Sequence, residues 1–142
     1  MKRGFTLLEM LIVLSIAGLL LAIAFPRAAA WLDRIAVSSA ANELIMFYHR
    51  ARFASMLRGT RVRVEFGERE LSATYEAIVD STFLVRPGPE RRGVELRASR
   101  RIVRLQPNGL GWGAANTKLV VWRREAAESL TISREGRLKR WR

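Results

Sequence analysis

Cysteine is absent from this chain of 142 residues, and histidine occurs once. The absence of cysteine excludes disulfide bonds, thiolate metal sites and cysteine nucleophiles. The single histidine, His49, has no set of acids or hydroxyls around it that would form a metal site or a catalytic triad. We therefore expect His49 on a helix surface, and we predict no metal, no cofactor and no enzymatic activity.

Acidic residues are also few, with 13 Asp and Glu against 25 Lys and Arg and a net charge of +12. The lysines are only Lys2, Lys118 and Lys139, so arginine carries nearly all of the base. Such a balance permits contact with phosphates or anionic lipid, although a genome that favours arginine codons would produce the same composition. The acids in "EFGEREL" (65–71) lie among arginines, and we interpret them as ion-pair partners.

The glycine-rich stretch "GLGWGAANTK" (109–118) lacks the context of a phosphate-binding loop. Such a loop follows a strand, begins a helix and carries Gly-Lys-Ser/Thr or a dinucleotide fingerprint. Here the next residues, "TKLVVW", alternate as a strand, so we predict a hairpin loop.

One long apolar run is present, from Phe5 to Phe25, and Glu9 is its only ionisable side chain. Its length matches the ~20 residues that a helix needs to cross a bilayer. Lys2 and Arg3 precede it, so the positive-inside rule predicts a cytoplasmic N-terminus and a domain outside the membrane after Pro26. A carboxylate in the hydrocarbon costs roughly 2.5–3.5 kcal/mol and by default marks a functional site.

Two proteolytic sites are compatible with this run. A conventional signal peptide would be cut after Ala24 in "AIA", releasing a basic domain. Cleavage after Gly4 would instead retain the apolar run and expose a new amine on Phe5. An α-amino group has a pKa of ~7.7–8 and is largely cationic near neutrality, so it would supply the positive partner that Glu9 lacks.

The segment "KRGFTLLEMLIVLSIAGLLLAIAFP" resembles the class III leader of type IV pilins and type II secretion pseudopilins. The resemblance implies cleavage after Gly4 by a prepilin peptidase, N-methylation of Phe5 and packing of the helices into a filament core. It also implies that Glu9 pairs with a Phe5 amine during assembly, and that Pro26 corresponds to the proline within the family's helix.

The rest of the chain predicts an α+β fold, with a long kinked N-terminal helix packed on an antiparallel β-sheet domain. Pro26 is expected to kink the helix without ending it, and Gly59 to end it. One apolar stripe recurs at helical spacing: Val37, Ala40, Ala41, Leu44, Phe47, Tyr48, Ala51 and Ala54. Eight strands are predicted in "TRVRVEFG", "ELSATYEAIV", "TFLVR", "GVELR", "RIVRL", "TKLVVWR", "ESLTIS" and "RLKRW". We expect "RPGPERRG" to be a mobile loop.

These elements divide the chain into four segments. They are a leader (1–4), a membrane or filament-core helix (5–25), an amphipathic helix (26–58) and a β-rich domain (59–142). Within the superfamily, "ARFASMLRGTRVRVEF", "VRLQPNGLGWG" and "LTISREGRLKR" are similar to the GspH/FimT group. That resemblance implies a minor pseudopilin of type II secretion, which assists protein export in a periplasmic filament with other pilins or pseudopilins. It also implies a single-pass inner-membrane protein with a periplasmic C-terminal domain before assembly into a periplasmic or surface filament.

The basic C-terminus supports an alternative function in DNA uptake. Arg137, Lys139, Arg140 and Arg142 are candidate DNA-binding residues, with Trp141 between the last two. A Gly-Arg-x-Arg element is implicated in DNA binding by FimT-type minor pilins, and Gly136 begins a match to it in which Lys139 replaces the final arginine. Lysine keeps the charge but not the bidentate geometry. Strand alternation places Arg140 on one face and Lys139 on the other, and a solvated basic edge strand explains the same residues without DNA.

Overall fold

The computed structural model describes residues 6–77, 81–113 and 115–141. The chain divides into two compact units, with the boundary between Leu32 and Asp33. The elements in order are α1 Leu7–Arg58, β1 Arg61–Phe66, β2 Glu70–Glu76, β3 Ser81–Pro87, a 3₁₀ helix Pro89–Arg92, β4 Glu95–Ala98, β5 Ile102–Leu105, β6 Gly111–Trp112, β7 Thr117–Arg123, β8 Ala126–Ile132 and β9 Leu138–Trp141. This order of one helix and then strands confirms the predicted α+β class.

Two antiparallel sheets follow the helix. The five-stranded sheet has the order β3-β2-β1-β5-β6, and the four-stranded sheet has the order β4-β7-β8-β9. Alternation sets their faces: in β1, Val62, Val64 and Phe66 are buried, whereas the residues between them are exposed or half-buried. The core lies where these inner faces meet the stripe of α1.

The helical stripe is confirmed, since seven of its eight predicted members are buried and Ala54 is half-buried. The prediction missed Asp33 and Ser55, two polar residues that are also buried on this face. Asp33 accepts ion pairs from Arg123 Nε at 2.9 Å and from Arg124 Nη1 at 3.2 Å. These pairs connect the start of the second unit to the β7–β8 turn.

The helix boundaries agree with the two predicted signals, while the kink expected at Pro26 stays a prediction. The helix continues through Pro26, and it ends before Gly59, whose φ is +58°. The Thr60 amide donates to the Ser55 carbonyl at 3.2 Å, as in a Schellman motif, where glycine relieves the strain of the left-handed backbone.

Two loop predictions were wrong. "RPGPERRG" contains the 3₁₀ helix, and the amides of Gly88 and Glu90 donate to the carbonyls of Arg69 and Glu68 at 2.7 and 3.1 Å. A Cβ on Gly88 would lie 2.1 Å from the Glu68 carbonyl oxygen, so the close backbone approach requires glycine. The predicted hairpin loop after Gly109 contains strand β6, which pairs with β5. Its two residues were too few to give a period.

Candidate nucleic-acid interface and membrane anchor

Thr6 is the N-cap residue of α1. Thr6 precedes the helix, and the Glu9 amide donates to the Thr6 hydroxyl at 3.2 Å. Glu9 is therefore three residues after the N-cap, where a carboxylate also interacts favourably with the helix dipole. This role was missed in the sequence, although Thr-x-x-Glu is its signal. The predicted processing residues, Gly4 and Phe5, lie outside the described residues.

The first unit has the properties of a membrane anchor. α1 is long and apolar enough to span a bilayer, and none of its most apolar window is buried. Polar groups within it are satisfied locally, as where Ser15 Oγ donates to the Leu11 carbonyl at 2.8 Å. An exposed apolar helix of this kind requires lipid or other helices around it.

The last strand separates its basic residues onto two faces, as predicted. Lys139 and Trp141 are exposed, whereas Leu138 and Arg140 are half-buried. The Lys139 ammonium lies 3.9 Å from the centroid of the Trp141 ring, a cation–π contact. These two neighbours therefore present one mixed cationic and aromatic surface to solvent.

Arg140 points toward the helix, and its contacts correct its assignment as a candidate DNA-binding residue. Its Nε donates to Glu128 Oε2 at 2.7 Å, and its terminal nitrogens donate to Asn42 Oδ1 and Ser38 Oγ, each at 2.8 Å. Its side chain is 19% exposed. Since these contacts fix β9 to β8 and α1, Arg140 serves the fold and is not available to a phosphate. Sequence alternation had indicated the separate face, but not the acid opposite it.

Strand pairing adds residues to the outer surface of the four-stranded sheet that sequence reasoning missed. Lys139 is opposite Thr131, and Thr131 is opposite Lys118 on β7. A second row of paired residues crosses the same sheet. In it Trp141 is opposite Ser129, Ser129 is opposite Val120, and Val120 is opposite Arg97 on β4. Cross-strand partners share a face, so these side chains lie on one surface. We call Arg97, Lys118, Lys139 and Trp141 the cationic face.

The cations of this face form no ion pairs among the described residues, although one acid, Glu95 on β4, shares the face with them. Among the described residues, Arg97, Lys118 and Lys139 form no ion pair, and Trp141 is 50% exposed. Arg137 lies in the turn before β9, exposed, with its guanidinium 3.9 Å from Glu135. Arg142, the fourth candidate, lies outside the described residues. The structure thus keeps Lys139 on an open surface and removes Arg140 from it.

The outer face of the other sheet differs, because its arginines share an acid. Glu76 Oε1 accepts hydrogen bonds from Arg63 Nε and Arg104 Nε, both at 2.9 Å. Burial alone would raise the pKa of Glu76, but the two guanidinium hydrogen bonds outweigh burial and hold that pKa below its ordinary value. These cations are thus partly neutralised, unlike those of the cationic face.

Two glycine turns position β9 against α1. Arg52 Nε donates to the Gly109 carbonyl at 2.9 Å, and a Cβ on Gly136 would lie 2.7 Å from both Arg52 Nε and that same oxygen. Gly109 and Gly136 also have φ values of +76° and +74°, which favour glycine. The glycine of the Gly-Arg element before β9 is thus explained by its close approach to Arg52, whereas Arg137 is exposed.

Comparison with known proteins agrees with these features. The prokaryotic N-terminal methylation motif matches residues 1–25. The chain is 31% identical over 120 residues to competence protein ComGD of Bacillus subtilis (strain 168), an alignment that covers 84% of this chain and 80% of that protein.

Solved structures show the same fold. The crystal structure of the type IV minor pilin FimU of Pseudomonas aeruginosa PAO1 in space group P21 superposes with a TM-score of 0.67 at 15% identity. The match covers 79% of this chain and 92% of FimU. A second FimU crystal form, in space group P65, gives a TM-score of 0.62 at 15% identity, with 74% and 92% coverage.

The fold and the apolar N-terminal helix with its methylation motif are those of a minor pilin-like protein. Together with the sequence relationship to ComGD, they show that the chain belongs to the type IV pilin-like superfamily.

Proposed function

We propose that this protein is a minor pilin-like subunit that contacts DNA through its cationic face during DNA uptake. The observation that carries the proposal is the open surface of Arg97, Lys118, Lys139 and Trp141, whose cations form no ion pairs among the described residues. The similarity to a protein named as a competence protein also supports this proposal.

The chemistry of the cationic face suits a nucleic-acid strand. Lysine and arginine neutralise phosphates and release counterions, so binding weakens as salt rises. An exposed tryptophan stacks on an unpaired base irrespective of its identity, contributing ~1–3 kcal/mol per base. The proposed contact is therefore independent of DNA sequence, and Trp141 would favour single strands over duplex.

The test is a fluorescence-anisotropy titration of labelled single-stranded and duplex DNA with the full chain in non-ionic detergent. We expect the double variant Lys118→Gln plus Lys139→Gln to weaken binding about tenfold and to reduce the salt slope by ~0.9 for each lost phosphate contact. The matched control is Arg86→Gln plus Arg91→Gln, which removes two exposed charges elsewhere. Equal losses in both double variants would show binding by net charge alone and would contradict the proposal.

Tryptophan supplies a second readout from the same titration. Trp141→Ala should weaken single-stranded DNA binding at least fivefold and leave duplex binding within about twofold, since only unpaired bases stack. Equal effects on both forms would mean that Trp141 does not stack on bases.

Assembly is proposed to depend on the N-terminal residues. Prepilin peptidase would cut after Gly4, and Phe5 would be methylated. Glu9 would then pair with a Phe5 amine as subunits enter the filament, with Pro26 inside the helix that is packed there. The second unit would then lie on the periplasmic side before it reaches the filament. Glu9→Leu should abolish co-purification with partner pilins while leaving membrane insertion intact. Thr6→Ala removes the cap alone, and it should permit assembly; the reverse pattern would refute the pairing.

Type II secretion is the second candidate, and the GspH-type motifs in the sequence favour it. In that role the protein would sit in a periplasmic pseudopilus and assist protein export. Normal DNA uptake together with lost secretion in a deletion strain would favour this candidate over DNA contact.

A further inference from the structure

A cleft of about 460 Å³ lies between α1, β3 and the 3₁₀ helix of the second unit. The helix contributes residues at three- and four-residue spacing, and the edge strand and the 3₁₀ helix form the opposite wall. Its charged lining residues are Glu43, Arg50, Arg86, Arg91 and Arg92. This site is separate in sequence and sheet from the cationic face.

The cleft exists because α1 leaves the inner face of β3 uncovered. Leu84 and Arg86 pair with Ala73 and Leu71, whose side chains are fully buried. Cross-strand partners share a face, so Leu84 and Arg86 also belong to the inner face. Nevertheless, Arg86 is exposed and Leu84 only half-buried. The inner face of the sheet edge therefore extends beyond the part that the helix covers.

The charge of the cleft is positive and largely unneutralised. Among the described residues that line the cleft, Glu43 is the single acid. It forms an ion pair with Arg92, and this hydrogen bond raises the pKa of Arg92. Arg50, Arg86 and Arg91 form no ion pair within the part of the chain that the structure describes. Three cations thus face the cleft with no counter-charge of their own.

The floor of the cleft is apolar: Met46 and Leu84 expose apolar surface to it, and the almost fully buried Phe47 and Leu71 lie beneath. Phe47 is the one aromatic residue among the lining residues that the structure describes. It is only 3% exposed, so its ring offers no open face for stacking. A ligand that fits must therefore combine negative charge with an aliphatic group, a pairing that a nucleic-acid backbone does not offer.

We propose that this cleft binds a segment of another protein in which carboxylates flank an aliphatic side chain. The carboxylates would accept bidentate hydrogen bonds from Arg50, Arg86 and Arg91, and the aliphatic group would displace water from the floor. A second copy of this chain is a poor occupant, because its net charge of +12 would repel the same arginines. β3 is the edge of its sheet, so its unpaired backbone groups are also available to an extended polypeptide.

The experiment uses the full chain in non-ionic detergent at about 0.1 M salt, where exposed charges more than ~10 Å apart are screened. The probe is a fluorescein-labelled peptide of alternating glutamate and leucine, followed by anisotropy. Arg86→Gln plus Arg91→Gln should weaken binding at least tenfold. The matched control, Lys118→Gln plus Lys139→Gln, removes the same charge from the cationic face and should change affinity less than twofold.

A second comparison isolates the apolar floor. A glutamate–serine peptide of equal charge should bind the unaltered protein at least fivefold more weakly than the glutamate–leucine peptide. Met46→Asn should reduce that preference, and Met46 is exposed enough for the substitution to leave the fold intact.

Three results would overturn the proposal. The first is that the glutamate–leucine peptide does not bind, and the second is that both double variants lose the same peptide affinity. The third is that Arg86→Gln plus Arg91→Gln weakens the binding of an oligothymidylate more than it weakens the binding of the peptide. The last result would assign the cleft to nucleic acid. Failure of DNA binding at Lys118 and Lys139 with intact peptide binding would refute only the proposed function.

Discussion

The two parts of α1, residues 7–32 and residues 33–58, have similar lengths and opposite environments. Among residues 7–32 none is buried, and large apolar side chains such as Phe25 are exposed on every side. In residues 33–58 the buried side chains form one stripe, and the remainder mixes arginines with exposed apolar side chains such as Phe53 and Leu57. A helix that is apolar all round requires lipid or other helices, whereas a striped helix requires one covering surface. One helix thus has two parts that require different surroundings.

Matched leucine truncations in the two parts should have very different effects on stability. Leu44 is 1% exposed, so Leu44→Ala leaves a cavity and should lower the free energy of unfolding by roughly 3 kcal/mol. Leu14 is 68% exposed, so Leu14→Ala should change it by less than ~0.5 kcal/mol. Denaturant unfolding of the full chain in non-ionic detergent, followed by circular dichroism, measures both. Equal losses would mean that the first part contributes to the folded core.

The buried acid at the start of the second unit should contribute a smaller amount. Asp33→Asn removes the charge that holds Arg123 and Arg124, and should lower the free energy of unfolding by about 1–2 kcal/mol. Glu135→Gln is the matched control, since the Glu135 pair is exposed and loose, and it should cost less than ~0.5 kcal/mol. An unchanged Asp33→Asn midpoint would show that these ion pairs do not stabilise the second unit.

The smallest expected effect on stability is that of Glu76, and it should depend on pH. The pKa of Glu76 is lowered in the folded state, so its contribution is present above the ordinary value of 4.5 and is lost as pH falls through the lower folded value. Glu76→Gln should cost about 1 kcal/mol at pH 7, and its difference from the unaltered protein should shrink in acid. Glu70→Gln, at an exposed position of the same strand, is the control. A difference that grows toward low pH would reverse the sign of the argument.

Much of the fold could be predicted because the spacing of apolar residues along the sequence indicates helices and strands. Alternation of Val62, Val64 and Phe66 predicts β1, and the eight predicted strands all appear, while Gly59 marks the helix end. β6 was missed because two residues have no period. The 3₁₀ helix was missed because its order comes from backbone contacts of Gly88 and Glu90 with a distant turn, which composition does not reveal.

The candidate site could be predicted less completely. Alternation along β9 separates Lys139 from Arg140, but only strand order places Lys118 and Arg97 on the same sheet face as Lys139. The acid that holds Arg140 likewise comes from β8, and no local pattern indicates that pairing. Clustering of charge across a sheet depends on register, which a single sequence does not specify.

The most direct measurement is intact mass and N-terminal fragmentation of the protein purified from membranes of its native host. If the first part of α1 is a retained anchor, the mature chain begins at N-methylated Phe5 and contains every residue up to Phe25. A chain that begins at Phe25 would show that the apolar helix is a removed signal peptide, and would contradict the account.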